Sequence, residues 1–348
     1  MMSVLEPWRS NLAGYTRLLW AKLFPRDYTA LLDSTGHCPP LLGIETTNIC
    51  NANCVFCAYQ YMERPKIIMD FDLYRKIIAD YRACGGRTVG LAVTVGDPLL
   101  DPRLLDRIAY GKSQGMRGFG FYTNAILLHK IDLQALLTSG LTGMHFSIAG
   151  FDRQTYKQTY RVDIYDRVID NICRAAELNH SLGRPVELAV SVRSPLPIRK
   201  LIRAPDYRRL KAVGLPVSFS MRYDSWSGMI RAQDLEGVMR LRPVPRKRQP
   251  CTMLWFGATV HAGGAFTVCG CRDLEGTSEL TLGNLKQHSI QELWTSQRLH
   301  DLRRNFTTRP PDVCVDCSHY SPVSIINQGH FALIRDIQPA METCPAHA

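Results

Sequence analysis

Cys50-Asn51-Ala52-Asn53-Cys54-Val55-Phe56-Cys57 places three cysteines within eight residues, at the spacing C-x3-C-x2-C. The stretch follows a short apolar segment, residues 41 to 45, which is typical of a β-strand. If two of these thiols formed a disulfide, the third would be left over, whereas Cys thiolates together hold iron–sulfur clusters. We therefore predict one soft metal centre, in which three protein ligands leave one iron of a four-iron cluster open to a small chelating molecule. Three reduced structural cysteines, or a zinc knuckle lacking its fourth ligand, are the alternatives.

The composition is that of an ordinary globular protein. The 348 residues are 45% hydrophobic and 21% charged, which suffices for one large α/β domain and a smaller module. The sequence has no apolar run of transmembrane length and no signal-peptide core near its start. We expect a cytoplasmic location, where clustered cysteines are metal ligands rather than disulfides. The formal charge of +11 is compatible with anionic partners, but no nucleic-acid-binding motif accompanies it, so no nucleic acid is expected.

Predicted strands and helices alternate along the middle of the chain. The strands are 41–46, 88–95, 118–123, 143–148, 186–192 and 217–222, and the helices are 71–83, 104–114, 131–139, 165–182 and 204–213. Six strands that alternate with helices predict a parallel sheet with right-handed crossovers. Residues 7–26 have the period of an amphipathic helix, which packs on the flank of the domain or lies on a membrane surface.

The cysteine motif and the residues that follow it resemble the radical SAM enzymes. In that family the open iron binds the amino and carboxylate groups of S-adenosylmethionine, and one electron from the cluster cleaves the sulfonium. The 5′-deoxyadenosyl radical that results abstracts a substrate hydrogen. The resemblance implies an α/β fold, a partial (β/α)6 barrel with its chemistry at the C-terminal ends of the strands. Phe56 matches the aromatic position that the family places near the adenine.

The ends of the predicted strands carry further residues of this resemblance. Val95-Gly96-Asp97-Pro98 resembles the family's Gly-Gly-Glu-Pro, whose backbone and acid meet the methionine ammonium, with Val95 in place of Gly and Asp97 in place of Glu. Thr123-Asn124-Ala125 is similar to Thr-Asn-Gly. Ser147 matches a serine that contacts the ribose or the methionine carboxylate, and Arg193 is placed to pair with that carboxylate. The implied cofactor contacts are therefore Phe56, Gly96, Asp97, Asn124, Ser147 and Arg193.

The sixth strand becomes polar and aromatic at its end. Arg222, Tyr223, Asp224 and Trp226 are expected to face the mouth of the cavity, and we predict that the first three read the substrate. A plain surface loop is the alternative for each of them.

A second cysteine set occupies the C-terminal part of the chain. It combines a Gly263-Gly264 hairpin, a Leu-Gly-Asn-Leu element at 282–285, a predicted helix at 289–303 with Glu-Leu-Trp, and a closing C-x2-C. This order resembles the SPASM/twitch auxiliary-cluster module, a small cysteine-rich α+β unit. The resemblance implies a second [4Fe-4S] cluster, and a structural zinc site is the alternative. Its ligands would be Cys251, Cys269, Cys314 and Cys317.

Two neighbouring features remain open. Cys271 lies two residues beyond a predicted ligand, so it is a spare ligand, a bystander or a hydrogen-atom donor. The basic, Pro-rich segment 236–250 contains Arg246-Lys247-Arg248, which indicates a solvated linker or a phosphate-reading patch.

The expected organisation is an N-terminal amphipathic helix and lead-in at 1–40, a barrel at 41–235, a linker at 236–250, an auxiliary module at 251–320 and a tail at 321–348. The resemblance implies a radical SAM oxidoreductase with S-adenosylmethionine and two [4Fe-4S] clusters. We expect it to oxidise a carbinol of a sugar, aminocyclitol or similar metabolite, with the auxiliary cluster as electron acceptor. Its partners would be a polar or anionic small molecule and an electron donor such as flavodoxin or ferredoxin. Alternatives are an epimerase with Cys271 as hydrogen donor, a ribosomal-peptide-modifying enzyme, and a non-catalytic metal protein that binds nucleic acid.

Overall fold

The computed structural model describes residues 35–91, 94–235, 238–269 and 272–325. Six strands form the parallel part of its main sheet, each hydrogen-bonded to the next in chain order. They are β1 (Leu41–Ile44), β2 (Thr88–Leu91), β3 (Gly118–Thr123), β4 (Gly143–Ala149), β5 (Glu187–Arg193) and β6 (Val217–Ser220). The α/β class and the parallel order predicted from the sequence are confirmed.

Helices connect these strands. They are α1 (Phe71–Ala83), α2 (Leu104–Ser113), α3 (Leu133–Thr138), α4 (Arg153–Tyr160), α5 (Tyr165–Ser181), α6 (Ile198–Leu201) and α7 (Pro205–Ala212). Asp70 begins α1, because its carboxylate accepts the N–H groups of Asp72 and Leu73. Helix α4 was not predicted, because its eight residues bury only Tyr156, Thr159 and Tyr160, too few to show a clear helical period.

The sheet continues directly into the C-terminal region. After the short pair β7 (Arg222–Tyr223) and β8 (Arg240–Leu241) come α8 (Met253–Phe256), β9 (Gly257–Val260), β10 (Ala265–Val268) and β11 (Thr281–Asn284). Strand β9 lies parallel to β1, and β10 and β11 add antiparallel strands, so the order is β11-β10-β9-β1-β2-β3-β4-β5-β6. The predicted auxiliary module therefore shares one sheet with the predicted barrel.

Three further helices complete the described chain, α9 (Ile290–Trp294), α10 (Gln297–Asn305) and α11 (Asp312–Val315). The helix predicted at 289–303 is thus two helices, because Ser296 accepts the N–H of Leu299 and starts a new one. The sixth strand was predicted to run to 222 but ends at Ser220, and Arg222-Tyr223 pairs with β8 instead.

The core lies between the sheet and its helices. Ile44 on β1, Phe146 on β4 and Val190 on β5 are fully buried, and each such side chain contributes about 1.5–3 kcal/mol by leaving water. This packing holds the carboxyl ends of the parallel strands at one edge. In the part of the chain that the structure describes, no helix is both long and apolar enough to cross a bilayer. The helix predicted at 7–26 lies outside that part.

Candidate active site

The three cysteines of the first motif lie on the loop after β1. Cys54 is buried, and Cys50 and Cys57 are partly buried. The N–H of Cys57 donates to the carbonyl of Cys54 at 3.1 Å, and the Tyr59 N–H donates to Cys57 Sγ at 3.5 Å. Burial raises the pKa of Cys50 to about 12 and also raises the pKa of Cys54 and of Cys57. A bound metal deprotonates such thiols, so this sulfur-only donor set fits an iron–sulfur cluster.

A buried ion pair fastens this loop to the sheet. Glu45, fully buried at the end of β1, accepts Arg64 at 2.5 and 2.7 Å and the N–H of Ala262 at 3.1 Å. Arg64 Nε also donates to the carbonyl of Leu274 at 2.7 Å. The loop is therefore tied to the first strand and to the C-terminal region at once. This ion pair was not predicted, although a carboxylate at the end of an apolar strand was a signal for it.

Gly96 and Asp97 follow β2 and pack against the cysteine loop. Gly96 has φ +93°, and a Cβ there would lie 2.5 Å from the carbonyl oxygen of Thr47. The buried carboxylate of Asp97 accepts the N–H of Leu99 at 3.0 Å, the hydroxyl of Thr123 at 2.9 Å and the N–H of Asn124 at 2.9 Å. Burial raises the pKa of Asp97 against the opposing effect of these donors. Asp97 thus joins the ends of β2 and β3, and its contact with a methionine ammonium stays a prediction.

Asn124 reaches the first cysteine from the end of β3. Its side-chain amide donates to Asn51 Oδ1 at 2.6 Å and lies 3.9 Å from Cys50 Sγ. The next residue, Ala125, has φ +61°, the left-handed region that costs a non-glycine residue about 1–2 kcal/mol. Asn171 holds this turn by donating to the Ala125 carbonyl at 2.8 Å. The end of β3 is therefore hydrogen-bonded to the cysteine loop.

Phe56, Ser147 and Arg193 form one contact group beside the cysteines. The Arg193 guanidinium lies 4.6 Å from the Phe56 ring centroid and 5.0 Å from that of Tyr223, and it donates to the Ser147 hydroxyl. Tyr160 donates to the Ser147 carbonyl at 2.6 Å. Against the raising effect of burial, the Arg193 charge lowers the pKa of Cys54 and Cys57. The predicted cofactor contacts therefore lie at one edge of the sheet.

The segment after β6 connects this edge to the C-terminal region. Asp224 is buried and pairs with Arg272 at 2.9 Å, and it accepts the N–H of Trp226 at 2.9 Å. The Trp226 indole donates to the Phe56 carbonyl at 3.0 Å. The expectation that Trp226 faces the cavity mouth is wrong, because its ring is buried and used in this contact. Arg222 is exposed and Tyr223 is partly buried.

Ser225 completes this connection. Its N–H donates to the Ser318 hydroxyl, and its own hydroxyl donates to the Asp316 carbonyl, both at 2.9 Å. Residues 224–226 therefore touch the first cysteine loop on one side and the closing C-x2-C loop on the other.

The four cysteines of the second set line one cavity. Its lining is Cys251, Met253, Leu254, Cys269, Arg272, Leu280, Phe306, Cys314, Cys317, His319 and Tyr320. Burial raises the pKa of Cys314 to about 12 and also raises that of Cys251. Among the residues described, no group of three or more His, Cys, Asp or Glu is arranged to hold a single metal ion. Four thiols around a cavity without carboxylates are a donor set that suits a [4Fe-4S] cluster.

Three described cysteines, Cys38, Cys84 and Cys173, belong to neither set. Cys38 and Cys84 are buried with their sulfurs 2.7 Å apart, and Cys173 is buried on α5. Cys271 and Cys344 lie outside the described residues.

Two family descriptions match the chain. "Radical SAM superfamily" matches residues 44–212, and "Iron-sulfur cluster-binding domain", the SPASM family, matches residues 251–318. The first range includes the C-x3-C-x2-C motif, and the second includes all four cysteines of the cavity.

Curated relatives cover a smaller part of the chain. A "Probable GTP 3′,8-cyclase" of Saccharolobus islandicus is 30% identical over 151 residues, 42% of this chain and 47% of the relative. The protein of the same description from Sulfurisphaera tokodaii is 29% identical over 148 residues, 42% of this chain and 45% of the relative. The chain thus spans less than half the length of these relatives.

Solved structures share the fold at low identity. Streptococcus suis SuiB bound to precursor peptide SuiA has a TM-score of 0.60 at 12% identity, covering 84% of this chain and 74% of SuiB. BtrN in complex with AdoMet and 2-DOIA has a TM-score of 0.53 at 16% identity, covering 80% of this chain and 92% of BtrN. AnSMEcpe with bound AdoMet and Cp18Cys peptide has a TM-score of 0.52 at 14% identity, covering 87% and 100%.

Proposed function

The chain belongs to the radical SAM superfamily and carries a SPASM domain, and from this premise we propose that it oxidises a carbinol carbon of a small polar metabolite. As a radical SAM enzyme with this domain it uses S-adenosylmethionine and two [4Fe-4S] clusters, and it needs a substrate and a reductant. When bound, S-adenosylmethionine and the first cluster supply hydrogen-atom abstraction from a C–H bond. A second cluster held by Cys251, Cys269, Cys314 and Cys317 would supply an acceptor for one electron. The substrate class we propose is a sugar, aminocyclitol or related polyol, polar or anionic.

The observation that carries this proposal is the contact between the two cysteine sites. Residues 224–226 touch Phe56 at one end and Arg272, Asp316 and Ser318 at the other. A substrate held at the carboxyl ends of the strands would therefore lie beside residues 224–226, which connect it to the four-cysteine cavity and offer a route for its electron. Oxidation of a carbinol removes one hydrogen atom from carbon, one proton from the hydroxyl and one electron, so an electron acceptor next to the substrate is what the reaction requires.

We assign the substrate side of this site to Arg222, Tyr223 and Asp224. Arg222 is exposed, so its guanidinium is available to an anionic or hydroxyl group of a substrate. Tyr223 packs on Phe56, with ring centroids 4.9 Å apart, and would form the wall. Asp224 is the carboxylate of this segment, and we propose that it accepts the proton of the substrate hydroxyl group. Cys271 keeps its predicted alternatives.

The cofactor side is assigned to residues around the first cluster. S-adenosylmethionine would contact Phe56 on the cysteine loop. It would also contact Gly96, Asn124, Ser147 and Arg193, which lie at or just after the ends of β2 to β5. Asp97 keeps its predicted contact with the methionine ammonium, and its carboxylate also accepts the Asn124 N–H. Reduced thiol ligands require a reducing compartment, so we place the reaction in the cytoplasm with flavodoxin or ferredoxin as donor.

Turnover in deuterated water tests the proposal. Anaerobic enzyme with dithionite and S-adenosylmethionine is incubated with sugars and aminocyclitols, and a substrate is recognised by 5′-deoxyadenosine released above the substrate-free rate. We expect a ketone with no solvent deuterium added at the reacting carbon, and turnover that persists in Cys271→Ala. An epimer with one deuterium at the inverted carbon, lost in Cys271→Ala, would contradict oxidation and establish the epimerase.

A further inference from the structure

Lys247 is a residue of the basic linker, and its side chain binds the closing cysteine loop, residues 314–317. Its neighbours Arg246 and Arg248 are exposed, whereas Lys247 is partly buried. Its ammonium donates to the carbonyls of Val315 at 2.8 Å and Cys317 at 3.0 Å. The basic run therefore contributes its central charge to the second cysteine site, a role that neither a solvated linker nor a phosphate-reading patch predicts.

The surroundings of this ammonium keep its charge effective. Both hydrogen-bond acceptors are backbone carbonyls, which leave the charge in place, and the Tyr320 ring centroid lies 5.8 Å away. Tyr320 and Cys317 both line the four-cysteine cavity.

Arg272 offers an instructive contrast. Arg272 lines the cavity, as Lys247 does not, but its guanidinium pairs with the buried Asp224 carboxylate at 2.9 Å. The opposite charge cancels much of the field that Arg272 exerts on the cavity. The hydrogen-bond acceptors of Lys247, by contrast, are two uncharged backbone carbonyls.

We propose that Lys247 positions the closing cysteine loop and raises the reduction potential of the auxiliary cluster. Reduction adds one negative charge to the cluster, and a fixed positive charge close to its ligands stabilises the reduced state. This inference rests on the proposed function in one respect, since a higher potential makes the cluster a better acceptor for the substrate electron. Its chemical basis is the position of Lys247 alone.

The test measures the cluster rather than the reaction. The full-length chain carrying Cys50→Ala, Cys54→Ala and Cys57→Ala is reconstituted anaerobically, so that the auxiliary cluster alone is titrated by EPR. Lys247→Gln keeps a donor and removes the charge, and Lys247→Arg keeps both. At a fixed solution potential we expect the ratio of reduced to oxidised cluster to fall about tenfold in Lys247→Gln, a midpoint shift of about 59 mV for one electron. Lys247→Arg should stay within about twofold of the parent.

Three outcomes would overturn the proposal. One is an unchanged midpoint in fully loaded Lys247→Gln. Another is an equal midpoint shift in Lys247→Arg, which would show that the potential depends on the shape of the side chain and not on its charge. The third is loss of iron from Lys247→Gln while Lys247→Arg stays loaded, which would leave only a folding role. None of these measurements uses substrate, so their failure leaves carbinol oxidation to be decided by the deuterium experiment.

Discussion

The two cysteine sites gather their thiols in opposite ways. Cys50 and Cys57 are separated by seven positions on one loop, where local contacts such as the Cys57 N–H to the Cys54 carbonyl hold them together. Cys251 and Cys317 are separated by 66 positions, and they meet because a helix, a strand end and a closing loop pack around one cavity. The first site is encoded by spacing, and the second depends on tertiary packing.

The difference shows where each site is vulnerable. The first loop is anchored to the buried end of β1 through Glu45 and Arg64. The second site depends on the segment after β6, through Ser225 and its contact with Ser318, and on the Asp224–Arg272 pair. Substitutions in residues 224–226 should therefore destabilise the C-terminal site before they destabilise the loop after β1.

The largest expected effect is the loss of one cluster at a time, which distinguishes the two cysteine sites. The wild-type chain should hold about eight irons, four for each [4Fe-4S] cluster. Replacing Cys50, Cys54 and Cys57 with Ala should leave about four irons and abolish cleavage of S-adenosylmethionine. Replacing the four cavity cysteines with Ala should also leave about four irons but retain reductive cleavage, because the first cluster does not need the second. Iron assays and 5′-deoxyadenosine release measure both effects.

The buried, unassigned Cys173 provides the control for this experiment. Cys173→Ala should change neither iron content nor cleavage. Cleavage that survives the triple substitution would refute the assignment of the first site.

A smaller effect, on the free energy of unfolding, is expected at the Asp224–Arg272 ion pair, which connects the two cysteine sites. Arg272→Met leaves the Asp224 carboxylate buried without its partner, and breaking a buried pair in this way costs about 3–5 kcal/mol of unfolding free energy. Adding Asp224→Asn removes the stranded charge and should restore much of that loss. Urea denaturation of the single and double variants measures the coupling.

An exposed ion pair serves as the matched control. Arg209 pairs with Asp170 at 2.7 Å while both side chains are about half exposed. Arg209→Met should therefore cost no more than about 1 kcal/mol. Equal losses at Arg272 and Arg209 would show that the connection after β6 does not stabilise the fold.

The smallest effect tests the packing of β2 on the first loop. Gly96→Ala introduces a Cβ at φ +93° and within 2.5 Å of the Thr47 carbonyl, whereas Gly183→Ala introduces one at φ +81° in open space. Both substitutions cost about 1–2 kcal/mol for the left-handed backbone. Gly96→Ala should cost about 1–3 kcal/mol more, because the backbone contact must yield. Equal urea midpoints for the two variants would mean that the cysteine loop is not held by this contact.

Much of the fold could be predicted because its signals are local. The bounds of α1 and β3 follow from the Asp70 cap and from an apolar run, and both agree with the structure residue for residue. Helix α4 was missed because eight residues with two tyrosines carry too little periodic signal. The prediction of one helix at 289–303 failed because Ser296 starts a second helix, and a serine within a helical period does not by itself indicate a cap.

The sequence alone determined which thiols are candidate cluster ligands, because ligand type and short spacing are properties of the chain. Only the tertiary structure decided what surrounds them. The Asp97 carboxylate binds the end of β3, Glu45 holds Arg64, and Lys247 turns inward between two exposed arginines. A charged residue in a sequence carries no mark of its partner, since the partner lies far along the chain and meets it only when the sheet has folded.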